Sequence, residues 1–322
     1  EPMNQFSIAF DRVQHHQNLI AHIPRINFFL PKGQFRADMA IVNSTVQSFV
    51  DQVLAIPPSE LAVDDGDEDG EVKSKGSHKY SFLHSLAKFT RDPVVLRDQI
   101  IAVLLAGRDT TAGTLSFAMY ELARSPACVA RLRQEILSVV GHDTAPTYTD
   151  LNNMPYLHNI IRETLRMYPS VPYNQRTALV DTTLPVGGGR YGDKPLGIPK
   201  GTLLTYSPLL MHRHQMTIPV VDESVDSEKG ARNIPRANLW SPERWESWHP
   251  KGHDYIPFNA GPRICVGQRF ATIQMMYVLT RIFQKYARVE NHMGSIDGGE
   301  VQLKADVTMK PGHGVFLALY EE

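Results

Sequence analysis

The chain has 322 residues, 42% of them hydrophobic, enough to bury one large core or two smaller ones. Its formal net charge is -1 and its pI about 7.0, so neither nucleic acid nor a strongly anionic surface is an expected partner. Two cysteines, Cys128 and Cys265, argue against a disulfide scaffold and fit a reducing compartment.

No run of about 18 apolar residues appears, and the first residues, Glu1 to Phe10, read as the start of an amphipathic helix. Asn4 to Ile56 reads as two or three helices, interrupted by Pro24 and by Pro31-Lys32-Gly33 and ended by Ile56-Pro57-Pro58. Residues 62–79 combine an acidic, Gly-containing stretch with a basic, polar one, and read as a solvated mobile loop. They lack the flanking helices and terminal Glu of a calcium loop.

From Ser81 to Ala123 the pattern is helical, broken at Asp92-Pro93, where Asp92 is expected to cap the long helix that Pro93 opens. Further helices are predicted over Ala127–Val140, stopping at Gly141, and Tyr156–Tyr168, stopping before Pro169. Cys128 reads as a small packing residue. Extended pieces follow at Thr177–Leu184 and Leu203–Ser207, and Val301–Leu319 has β-type patterning with a turn at Pro311-Gly312-His313-Gly314. The thirteen histidines, His212 among them, show no zinc-like spacing and read as solvated or packing residues. The expected class is mainly α with minor β, in one domain.

Two segments carry chemistry. Phe258-Asn259-Ala260-Gly261-Pro262-Arg263-Ile264-Cys265-Val266-Gly267 puts a cysteine in a Gly-punctuated loop, at the mouth of an apolar-periodic helix from about Gln268 to Tyr286. Unpaired N–H groups and the positive dipole end of that helix favour a thiolate. Gly261 and Gly267 give the backbone room for a flat ligand to approach, and Phe258 can shield the sulfur from water. A buried structural cysteine is the plain alternative, but the flanking Phe, Gly, Arg and Gly favour an axial ligand to haem iron. The second segment, Ala106-Gly107-Arg108-Asp109-Thr110-Thr111, puts poor helix formers in mid-helix. A hydroxyl bonded back to a helical carbonyl opens a local gap there, where an acid beside an alcohol can relay protons. The alternative is a helix with an exposed Asp and threonines bonded to their own backbone.

The first segment matches the haem-binding signature F-x-x-G-x-R-x-C-x-G at every specified position, and the chain resembles the cytochrome P-450 haem-thiolate monooxygenases. The resemblance implies the cytochrome P-450 fold, a haem b cofactor and Cys265 as the iron ligand. It implies Phe258, Gly261, Arg263 and Gly267 as cofactor-binding, with Arg176 joining Arg263 at the haem carboxylates. Asp109 and Thr110 would be the catalytic acid and alcohol. Glu163 and Arg166, one helix turn apart, resemble with Arg244 the family's structural Glu-Arg-Arg triad.

The match begins near Phe6 and runs to the end. The expectation is the C-terminal part, about two-thirds, of a single domain truncated at its N-terminus, with 215–238 an atypical insertion. The implied reaction converts RH, dioxygen and two electrons to ROH and water. The chain shows no dinucleotide fingerprint, so NADPH-cytochrome P-450 reductase is the expected electron donor, docking near Lys251, Arg269 and Lys285. The Gly-Arg-Asp-Thr-Thr-Ala run and Tyr168-Pro169-Ser170-Val171-Pro172 are similar to the fungal microsomal alkane and fatty-acid ω-hydroxylases. That implies a long-chain hydrophobic substrate and the cytosolic face of the endoplasmic reticulum membrane. Ala102, Leu105, Ala106, Val171, Pro172, Val307 and Thr308 are the expected pocket residues. A haem-thiolate isomerase or dehydratase working without dioxygen, or a fragment unable to hold haem, are the alternatives.

Overall fold

A computed structural model describes residues 2–23, 26–61, 81–214 and 235–321. The expected mobile loop at 62–79, and the expected insertion as far as residue 234, lie outside the described residues. The chain divides into two compact units, residues 1–108 and 109–322.

The first unit is helical: α1 (Pro2–His22), α2 (Gly33–Leu54), α3 (Pro58–Leu61), α4 (Phe82–Phe89) and the beginning of α5 (Pro93–Arg124). On α2, Val42, Val46, Val50 and Val53 recur at helical spacing and are buried. Val46, Val50 and Val53 pack with Leu83 and Ala87 of α4 and Leu96 of α5, while Val42 packs with Ala9, Phe10 and Val13 of α1. Each such fully buried aliphatic side chain contributes about 1.5–3 kcal/mol. Asp92 caps α5 as expected, its Oδ1 accepting from the Val94 N–H at 2.8 Å and the Val95 N–H at 3.3 Å.

The second unit holds the rest of α5, then α6 (Pro126–Val139), α7 (Tyr148–Asn152), α8 (Pro155–Met167), α9 (Pro208–Met211), α10 (Gln268–Lys285) and α11 (Gly294–Asp297). Its core joins Leu132 and Ile136 of α6, Leu157 and Ile160 of α8, and Met276, Leu279 and Phe283 of α10. Pro155 opens α8 at a position where its missing N–H costs nothing. The next two amides donate to Glu135 of α6, Tyr156 N–H to Oε1 and Leu157 N–H to Oε2, each at 2.9 Å. A carboxylate from another helix thus serves as the N-terminal cap of α8.

Among the described residues eight short strands pair antiparallel: β1 (Asn174–Thr177) with β4 (Leu203–Tyr206), β2 (Thr182–Gly188) with β3 (Lys194–Ile198), β5 (Arg288–Asn291) with β8 (Leu317–Tyr320), and β6 (Leu303–Ala305) with β7 (Met309–Pro311). The turn expected at Pro311-Gly312-His313-Gly314 is present, the Gly314 N–H donating to the Pro311 carbonyl at 3.3 Å; it leads from β7 toward β8, while the β6–β7 hairpin closes at Asp306-Val307-Thr308. Helix α5 runs without a break through Gly107-Arg108-Asp109-Thr110-Thr111, as the helical pattern to Ala123 predicts. Among the described residues no helix is long and apolar enough to cross a membrane.

Candidate functional site

The cysteine loop is shaped by two residues in the left-handed region, Gly261 (φ 66°) and Asn259 (φ 66°), the latter the only non-glycine of its kind among the described residues. A 3-10 turn over Gly261–Arg263 follows, and the loop closes on itself through the Cys265 N–H, which donates to the Phe258 carbonyl at 2.9 Å. Gly267 then begins the 18-residue helix α10. The Cys265 thiol is exposed, three residues before that helix. A Cβ at Gly267 would meet the sulfur at 3.8 Å, an ordinary van der Waals contact, so position 267 lies directly beside the thiol. Phe258 is half-buried and packs against the core formed by α6, α8 and α10.

Arg176 lies on β1, half-buried, with its guanidinium 5.6 Å from the centre of the Tyr206 ring. The Tyr206 hydroxyl donates to Asn259 Oδ1 at 2.8 Å, and the same oxygen accepts from the Ala260 N–H at 2.9 Å. The β1–β4 pair is thereby tied to the cysteine loop, and Arg176 is brought to it through Tyr206. Neither Tyr206 nor Asn259 stood out in the sequence. Arg263 is exposed.

Asp109 and Thr110 are half-buried on α5. The Thr110 carbonyl accepts from Thr114 Oγ1 at 2.9 Å and from Ser170 Oγ at 3.3 Å, so a back-bonded hydroxyl stands one turn beyond the motif, at Thr114. Of the expected pocket residues, Pro172 and Thr308 are buried and Val171 is half-buried, while Val307, Ala102 and Ala106 are exposed. Among the expected docking cations, Lys285 pairs with Glu321 at 3.2 Å; Lys251 and Arg269 are exposed.

The three charges of the expected triad meet in the interior, with Glu163 and Arg166 0% exposed and Arg244 1%. Glu163 accepts five hydrogen bonds: two from Arg166 at 2.8 Å, and one each from Arg244 Nε (3.2 Å), Trp245 Nε1 (3.0 Å) and the Ser241 N–H (2.9 Å). Six further guanidinium hydrogen bonds go to backbone carbonyls. Arg166 donates to the carbonyls of His212, Ala237 and Leu239, and Arg244 to those of Pro235, Arg236 and Leu239. Burial pushes Arg244 below the usual guanidinium range, with Glu163 opposing. Beside them His212 is a packing histidine, as expected. Burial pushes it down to about 4, and its Nε2 accepts the Ile256 N–H at 2.9 Å, two residues before Phe258.

The site fits haem. Beside Cys265 in the chain Ile264, Val266 and Phe270 are exposed apolar residues, 54%, 105% and 72% exposed, and Arg263 and Arg176 supply cations. A thiol, an apolar surface and two arginines match a metal carried in an apolar disc with carboxylate edges. Among the described residues no cluster of His, Cys, Asp and Glu offers a metal a different donor set.

Comparison with known proteins agrees with this chemistry. A family model described as Cytochrome P450 matches residues 11–217 and 235–307. The chain is 48% identical over 320 residues to Cytochrome P450 monooxygenase pvhE of Talaromyces variabilis, covering 99% of this chain and 56% of that protein. It is 40% identical over 295 residues to Cytochrome P450 52A6 of Candida tropicalis (89% of this chain, 51% of the relative). To Cytochrome P450 52A3-B of Candida maltosa it is 38% identical over 320 residues (97% and 56%). The chain thus spans about half the length of these curated relatives. With its cysteine loop, its buried triad and the extent of these matches taken together, the chain belongs to the cytochrome P450 family, whose cofactor is haem.

Proposed function

We propose that the whole protein is a haem-thiolate monooxygenase that hydroxylates long-chain alkanes or fatty acids at or near the terminal carbon. The observation that carries it is the exposed Cys265 thiol, in a loop closed by its own backbone and set at the head of α10. When bound, thiolate-ligated haem activates dioxygen so that one oxygen atom enters a substrate C–H bond and the other leaves as water. Cys265 is the ligand; Phe258, Gly261 and Gly267 shape its loop, and Arg263 and Arg176 neutralise the haem carboxylates. Asp109 and Thr110 would hold and pass the protons that the reaction consumes, Thr110 as the alcohol and Asp109 as the acid. The buried triad does no chemistry; it fixes the backbone beside the loop.

The substrate class is supported by the Gly107-Arg108-Asp109-Thr110-Thr111-Ala112 run and by the likeness to the 52A members. Cytochromes P450 take electrons from a redox partner, and we assign that role to NADPH-cytochrome P-450 reductase at the cytosolic face of the endoplasmic reticulum membrane. Residues 215–238 are read as an insertion, supported by the gap in the family match from 218 to 234.

The test uses the full-length protein with reductase and NADPH. Thiolate ligation gives its diagnostic reduced, CO-bound spectrum, and acids of roughly C12–C18, lengths matched to an apolar tunnel, give spectral shifts and ω-hydroxy products. Cys265→Ser loses the CO band. Turnover without NADPH would establish an isomerase or dehydratase instead, and a wild-type spectrum in Cys265→Ser would refute the ligand.

A further inference from the structure

A helical carbonyl ordinarily accepts one bond, from the N–H four residues on. The Thr110 carbonyl takes side-chain donors as well. Thr114 Oγ1 is 2.9 Å from it, Ser170 Oγ is 3.3 Å from it, and the two hydroxyls are 2.9 Å from each other. Whichever hydroxyl donates to the other, one proton remains for the carbonyl, so the triangle is satisfied in either arrangement. Thr114 is buried, so these bonds form away from water.

Ser170 is held in place from three sides. Its carbonyl accepts the Met309 N–H at 2.8 Å. Met309 in turn lies against α5: its own oxygen is 2.8 Å from where a Cβ of residue 113 would stand, which only glycine permits. Two residues before Ser170, Tyr168 donates its hydroxyl to the buried Glu121 of α5, and its ring stacks on Phe117 at 4.3 Å. The segment leading into Val171 and Pro172 is therefore clamped to α5 on both sides of Thr114. Side-chain donors at a helical carbonyl weaken the helix's own bond and bend the backbone locally. Here the two donors meet at the carbonyl of the residue carrying the alcohol, within a helix that stays continuous.

We infer that Thr114 and Ser170 are positioning residues, whose paired hydroxyls hold the Thr110 backbone, aim its alcohol, and couple it to the substrate-facing segment 170–172. The inference rests on Thr110 being the proton-handling alcohol proposed above.

The experiment compares full-length Thr114→Val, Ser170→Ala and the double variant with Thr114→Ser and Ser170→Thr, which keep a hydroxyl. Two electrons and two protons delivered with dioxygen give either hydroxylated product plus water or hydrogen peroxide, so the product-to-peroxide ratio reports whether protons are delivered correctly. The hydroxyl-less variants are expected to keep the CO spectrum and KM, to lose kcat, and to divert about fivefold more NADPH to peroxide, the scale of one lost buried hydrogen bond. The double variant does no worse than either single one, because one network is lost once, and Ser and Thr replacements restore the ratio. Independently of turnover, amide hydrogen exchange at Gly113 and Thr114 is expected to change several-fold in Thr114→Val and Ser170→Ala alike. An unchanged ratio in both hydroxyl-less variants, or equal damage from the conservative ones, overturns the positioning role. A wild type lacking the thiolate CO band and NADPH-dependent product would instead overturn the monooxygenase reading, and the exchange data would still decide whether the pair holds α5.

Discussion

Replacing Glu163 by Gln keeps the shape of the side chain and removes its charge. Five donors converge on the two carboxylate oxygens, and a carboxamide replaces one oxygen with a donor of its own. In either amide orientation at least two donors, Arg166 Nε and Trp245 Nε1 or the three at Oε1, then face an N–H. Two guanidinium groups also remain in the interior without their counter-charge. Breaking a buried pair in this way costs about 3–5 kcal/mol, a large share of the roughly 5–15 kcal/mol by which a domain is stable. Urea unfolding of the full-length protein, followed by far-UV circular dichroism, measures the loss, and the reduced CO spectrum measures haem retained. The exposed Arg131–Glu246 pair, 2.7 Å apart, supplies the comparison: Glu246→Gln is expected to cost less than about 1 kcal/mol. If Glu163→Gln stays within about 1 kcal/mol of wild type with full haem content, the claim that this cluster fixes the loop is refuted.

Three further outcomes are expected. His212, held neutral by burial with a folded pKa of about 4 against 6.5, takes up its proton more readily when unfolded; its stability contribution is complete above pH 6.5 and fades as pH falls toward 4. Between pH 7 and 5 wild type is expected to lose about 2 kcal/mol more than His212→Gln in denaturant titrations, and equal losses would refute the assignment. Asn259→Ala forfeits the Tyr206 bond while keeping a left-handed backbone, a cost of about 1–2 kcal/mol that Asn259→Gly reduces, and thermal melts in which the two coincide would count against it. Gly113→Ala is expected to destabilise by about 1–3 kcal/mol in the same melts, because its methyl meets Met309 O; the usual gain of helical Gly→Ala would sink that reasoning.

The sequence was most legible where punctuation is local. Pro93, Pro155 and Pro169 mark helix boundaries through the missing amide and restricted preceding residue, and α5 and α8 begin where those signals place them. The cysteine loop was legible because its glycines, arginine and cysteine sit within ten residues. Its supports were not. Tyr206 reaches Asn259 across 53 residues, and Thr114 reaches Ser170 across 56. Single hydroxyls and an amide carry no periodicity that would announce such pairings. The turn at Pro311-Gly312-His313-Gly314 was legible from its glycines, but the pairing around it was not, because β7 and β8 on either side take different partners, β6 and β5.

One nitrogen of Arg166, Nη1, holds the carbonyls of His212 and Ala237 at once, 3.2 and 2.8 Å away. Arg244 moors Pro235 and Arg236 alongside. The chain therefore leaves and returns at a single anchorage, whatever length runs between. Doubling the length of a flexible connection between two fixed points costs only about 0.6 kcal/mol of closure entropy. Evolution can lengthen or rewrite the excursion freely, provided the two guanidinium groups and their shared carboxylate stay.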